Sequence, residues 1–159
     1  MAIVLRSQRT VPFNFDRVRT WKHLTRSSST IPQTTTEELF AVTNGRVLVH
    51  LLLGEVTTVI QTQTCNLKVT INPTTGTSGD VASNLDVTAT EVGGLLFPEG
   101  DGTALIGVDA GTGFGAGGQN PWIVPTGGID ITTSASNTGA IKWDLWYEDL
   151  DEDALVIVS

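Results

Sequence analysis

Cys65, Leu67, Val69 and Ile71 alternate without a break with Asn66, Lys68, Thr70 and Asn72, and this two-residue period constrains the fold more than any other feature. Successive side chains of a strand point to opposite faces, so the run predicts a half-buried strand. The same period returns near the end of the chain. There Ile141, Trp143, Leu145 and Tyr147 share one face, while Lys142, Asp144, Trp146 and Glu148 share the other, with Trp146 the misfit on a polar face. No stretch carries a helical period, and plentiful Thr, Ser, Gly and Asn favour strands and turns.

Other short strands are expected around the same core. Leu39 to Val42 and Arg46 to Leu53 flank Asn44-Gly45, a strong hairpin signal, with Val47, Val49, Leu51 and Leu53 expected on one face of the second run. Leu85, Val87 and Ala89 alternate with polar residues. Leu95 to Phe97 and Ala104 to Val108 flank the turn-forming Pro98-Glu99-Gly100-Asp101-Gly102, and Ile129 to Thr133 and Leu155 to Val158 add two more apolar runs. Eight to ten short strands without an internal repeat predict an all-β protein, a single β-sandwich or jelly-roll-like domain over residues 37–159. A chain of 159 residues suits one domain and buries about 70% of its unfolded surface without a staple.

Residues 1–36 carry no sustained pattern, and Ser27-Ser28-Ser29-Thr30, Pro32 and Thr34-Thr35-Thr36 read as linker, so an extended N-terminal arm is expected. The arm is basic. Arg6, Arg9, Arg17, Arg19, Lys22 and Arg26 stand against Asp16 alone, while the rest of the chain sets Arg46, Lys68 and Lys142 against 16 acids, a division of +5 and −13 within a net −8. Arm and body should therefore attract one another, or their counterparts on neighbouring copies. With such an acidic body, nucleic-acid binding is disfavoured, although Trp21 has the chemistry to stack on a base. Protein docking is the expected role of Arg6, Arg9, Arg17, Arg19, Trp21, Lys22 and Arg26.

Motifs for chemistry are weak. Gly113 to Gly118 satisfies G-x-G-x-x-G, but Asn120-Pro121 denies the helix that a dinucleotide site needs. Asp149, Asp151 and Asp153 begin like a calcium loop, yet Ala154 replaces the required glycine, so a solvated acidic bend is expected. Cys65 is the sole cysteine, which rules out an intrachain disulfide and a Cys-based zinc site and predicts a buried, inert thiol. His50 is expected to be packed or interfacial, and His23 to contact a polyanion or a partner. No cofactor, metal site or catalytic group is expected, and no apolar stretch reaches the length of a membrane span. Soluble synthesis inside the cell follows. Trp122 and Trp146 are candidate interface anchors, because large aromatics dominate buried contacts.

Gly54 to Gln63, Asn66-Leu67-Lys68 and Asn72 to Thr77, together with Gly128 to Ser134, Thr138 to Trp143 and Tyr147 to Leu150, resemble a family of small structural proteins of tailed bacteriophages. The likeness covers roughly residues 40–158 and leaves the arm unmatched. It implies a virion protein made in the host cytoplasm, a capsid decoration or cement protein that stabilises the shell from outside. Its implied partners are the major capsid protein and further copies of itself, with a trimer expected. Tail, fibre or head-vertex proteins are the alternative within virions, and a glycan-binding β-sandwich using Trp122 or Trp146 is the alternative outside them.

Overall fold

A computed structural model describes residues 21–113 and 120–159. They form eleven strands and no helix. The strands are β1 (Lys22–Thr30), β2 (Thr36–Thr43), β3 (Val47–Thr58), β4 (Asn66–Pro73), β5 (Gly79–Asp86), β6 (Leu95–Phe97), β7 (Ile106–Val108), β8 (Trp122–Val124), β9 (Gly127–Thr133), β10 (Ala140–Asp149) and β11 (Leu155–Val158). Sheet A runs β1-β10-β3-β6-β7, with β8 also on β3, and sheet B runs β11-β2-β9-β4-β5.

The antiparallel pairs are nested: β1 with β10, β2 with β9, β3 with β8, and β4 with β5. A long hairpin folded over on itself gives this order, and it is the connectivity of a jelly roll. The expected all-β sandwich is therefore what the chain forms. Phe40, Val42, Leu67, Val69, Ile129 and Ile131 of sheet B meet Val47, Val49, Leu52, Ile141, Trp143 and Leu145 of sheet A in one core. Trp143 is 1% exposed and lies directly opposite Gly54. A Cβ on Gly54 would come within 2.9 Å of the indole, so the glycine makes room for the ring.

Four local expectations are corrected. Residues 22–30 are not linker but the edge strand of sheet A, so the sandwich includes residues placed in the arm. Asn44-Gly45 does not close a hairpin, because β2 and β3 belong to different sheets and the turn carries the chain across the sandwich. Its positive φ angles, 57° at Asn44 and 144° at Gly45, suit those residue types. In β3 the pairing with β10 skips His50, since Trp146 opposes Leu51 and Tyr147 opposes Val49. This bulge reverses the face assignment, and Leu52, not Leu51, joins Val47 and Val49 in the core. The strand expected around Leu85 to Ala89 begins earlier and ends at Asp86, and Ala89 has a φ of 58°.

Candidate functional site

The outer face of sheet A brings together Trp21, His23, His50 and Trp146, four of the residues that the sequence singled out. His23 is opposite Trp146 and Thr25 is opposite Asp144, so the side chains of β1 lie beside the polar face of β10. The His23 ring stacks on Trp146 with centroids 4.4 Å apart, and its Nε2 is 2.8 Å from Asp144 Oδ1. Thr25 Oγ1 donates to the same oxygen, and Lys142 Nζ lies 3.4 Å from Asp144 Oδ2 and 2.8 Å from Glu55 Oε2. Burial pushes the Asp144 carboxyl up, but the hydrogen bonds from Thr25 and His23, with the charge of Lys142, outweigh it and hold it below the usual range. Asp144 is thus a buried hub that ties β1 to the sheet.

A second imidazole repeats the arrangement. The bulged His50 stacks on Trp21 at 4.2 Å and places Nε2 3.5 Å from Glu148 Oε1. Because His50 lies two residues from Leu48, and Leu48 opposes Ile123, Trp21 and Ile123 flank one continuous outward stripe. Both are open to solvent, at 59% and 54% exposure. His23 does not have the geometry of a catalytic triad: at Asp144 the imidazole and the Thr25 hydroxyl reach the same carboxylate oxygen, so no relay runs from hydroxyl through imidazole to acid.

The other expected contact residues divide sharply. Lys22 pairs with Asp149, whose hydrogen bond raises its pKa, and lies over the Tyr147 ring. Arg26 turns inward to Glu37, Ser29 Oγ and the Ser159 carbonyl, and its side chain is 11% exposed. It serves the seam between β1 and β11. Trp122 is a core residue, with its Nε1 lacking a hydrogen-bond partner, and one face of Trp146 is occupied by His23. Arg6, Arg9, Arg17 and Arg19, and most of the glycine-rich motif, lie outside the described residues.

The acidic bend is structured by its own chain. Asp151 accepts from the backbone N, Nε and Nη2 of Arg46 at 2.8, 2.9 and 2.8 Å, and this pairing holds its pKa down at about 2. Cys65 is fully buried, and desolvation raises its thiol pKa, consistent with an inert role. Among the described residues no three His, Cys, Asp or Glu side chains come together as metal ligands, and no helix is long and apolar enough to cross a membrane. Sequence reasoning missed Asp144 and Glu148 as buried acids. Their alternation with Lys142 and Trp146 marked an outward face but gave no sign that β1 and Trp21 would cover it.

No family model matches the chain, and no curated protein matches it. Among solved structures it is similar to a chain of the infectious bursal disease virus Gx strain, at 12% identity and a TM-score of 0.20. That match covers 87% of this chain but 35% of the other, and so low a TM-score carries no argument about fold or function.

Proposed function

We propose that the protein is a non-enzymatic structural component of a tailed-phage virion, a decoration or cement protein that binds the outer surface of the head and stabilises the shell. The observation that carries this reading is the outward aromatic and apolar stripe from Trp21 through His50 and Leu48 to Ile123. Large apolar groups left in solvent on a sheet face are suited to burial against another protein, and Trp anchors contribute most there. A second exposed set, Leu155, Ile157 and Val158 on the short edge strand β11, offers a contact for further copies. The sequence resemblance to phage structural proteins supplies the class of partner, the major capsid protein. A jelly roll hosts many functions, so the fold alone does not choose among them.

Binding is the work of such a protein. Each copy that bridges capsomers adds contacts that are lost only when the shell opens, and a symmetric lattice multiplies modest affinities. The glycan-binding reading is not favoured, because Trp122 is core and Trp146 is capped by His23. Quantitative protein composition of purified particles, before and after a mild urea wash, tests the proposal. Abundance comparable to the major capsid protein, with release that leaves fragile heads, is the expected result. Scarcity and co-purification with tails would replace it with the tail reading, and absence from particles would remove it.

A further inference from the structure

The outer face of sheet B holds a polar groove of about 400 Å³, lined by Thr36, Lys68, Thr70, Asn72, Asp130 and Thr132. Gly128 lies beside it on β9. A Cβ built there would meet Asp130 Oδ1 at 2.5 Å and Glu38 Oε2 at 2.6 Å, so the missing side chain leaves a cradle on which two carboxylates converge. Their oxygens are therefore no more than about 5 Å apart. Asp130 is 4% exposed, and its Oδ1 has no hydrogen-bond partner. Ser159 Oγ donates to Glu38 Oε1 at 2.6 Å, which leaves Oε2 directed to the cradle. Burial raises the Asp130 pKa against a hydrogen bond from Asn72, and the neighbouring Glu38 charge raises it further. A buried acid beside a second acid calls for a cation.

The cations of the described residues are already committed. Lys22 pairs with Asp149, Arg26 with Glu37, Arg46 with Asp151, Lys68 with Asp80, and Lys142 with Glu55 and Asp144. The chain's remaining basic side chains are Arg6, Arg9, Arg17 and Arg19, all in residues 1–20 and all arginines. We propose that the Gly128 cradle is the receptor for an arginine guanidinium of residues 1–20, supplied by the same chain or by a second copy. A planar guanidinium carries five N–H donors in a fixed fork, and so satisfies both carboxylate oxygens at once where an ammonium offers a single point charge. Twenty residues span up to about 70 Å when extended, enough to reach either groove. The inference rests on this chain alone and holds whether or not the protein decorates a capsid.

Limited trypsin digestion of the full-length isolated protein, with cleavage after the four arginines followed by mass spectrometry, reads the docking. Asp130→Asn together with Glu38→Gln should speed cleavage about tenfold over wild type, and 0.5 M salt should narrow the difference without erasing it, since a partly buried pair is only partly screened. Gly128→Ala, which fills the cradle without changing charge, should act in the same direction. A cooperative urea transition establishes that each variant is folded, and either folded variant suffices for the comparison. Equal cleavage rates in wild type and folded variants would overturn the proposal. Cross-linking a mixture of heavy- and light-isotope protein separates the sources: mixed-isotope links between the arm and β9 assign the second copy, and their absence among recovered links assigns the same chain. A calcium-dependent rise in wild-type stability that Asp130→Asn abolishes would give the cradle to a metal ion and overturn the assignment to arginine.

Discussion

On the exterior of sheet A, Asp144 lies within reach of Thr25, His23 and Lys142, whereas on the exterior of sheet B, Asp130 has Asn72 and one oxygen without a partner. Both are acids on outward positions of long strands, and both are buried. The difference comes from what lies across each face. The edge strand β1 brings His23 and Thr25 beside β10, while β2 brings a second acid, Glu38, opposite Asp130. One face is closed by its own chain and its acid is held ionised; the other leaves a groove whose acid is destabilised by its surroundings.

If the contrast belongs to the exteriors and the interior is shared, core substitutions should cost the same on either sheet. Trp143→Ala in sheet A and Phe40→Ala in sheet B should each lose about 3–5 kcal/mol, the range for large aromatics replaced in a packed core. Urea midpoints at neutral pH measure both. Losses differing by more than about 2 kcal/mol would break the picture of one interior.

The exteriors should then separate. Asp144→Asn is expected to cost about 1.5–3 kcal/mol at pH 7, because it weakens hydrogen bonds made to a charged acceptor. Asp130→Asn should cost at most about 1 kcal/mol, since relief from burying a charge offsets any partner lost. The pH dependences should have opposite signs. A folded pKa below the ordinary value means that Asp144 stabilises above the carboxylate range and loses this as pH falls. With the cradle free of a guanidinium, a raised folded pKa means that ionised Asp130 opposes folding, and the opposition fades on acidification. Parallel curves for the two variants would remove the distinction between the faces.

The aromatic stacks should contribute less. Trp146→Ala removes the ring beneath His23 and should loosen β1 by about 0.5–1.5 kcal/mol, seen as faster amide exchange in Lys22–Thr30 than in β3. Equal acceleration in both strands would mean that the stack supports the whole sheet, not its edge.

The same comparison explains what was legible in the sequence. β4 and β10 were readable because one face of each is apolar and the period of two survives in the residues. β1 was not, since an edge strand that places chiefly Leu24 against the core can be almost wholly polar, as Lys22 to Thr30 is. Asn44-Gly45 specifies a turn but not which sheet the next strand enters; that depends on pairings with β9 and β10 nearly a hundred residues away. His50 broke the alternation of β3 through a bulge that local propensity does not mark. The tryptophans and basic residues were candidates by residue type alone, and the placing of Asp144, Glu148, Asp130 and Glu38 beside their neighbours emerges only from register.

The smallest effect expected concerns the bend after β10, where another acid is held below the usual carboxylate range, this time in solvent. Arg46 donates to Asp151 through its backbone N and two side-chain nitrogens, and the Asp151 Cβ lies 2.7 Å from where a side chain on Gly45 would begin, so acid and turn are packed together. Its folded pKa of about 2 lies below the ordinary aspartate value of about 3.9. The pair therefore contributes fully above that ordinary value, and its contribution is lost as pH falls through about 2. Between those limits wild type should lose stability more steeply than Asp151→Asn, and the two curves should run parallel once the carboxyl is protonated in both states. A variant curve parallel to wild type over the whole range would mean that the Arg46 contact exerts no hold on the bend. The firm pairing of sheet A's exterior would then stop at Asp149 and not extend to the crossing between the sheets.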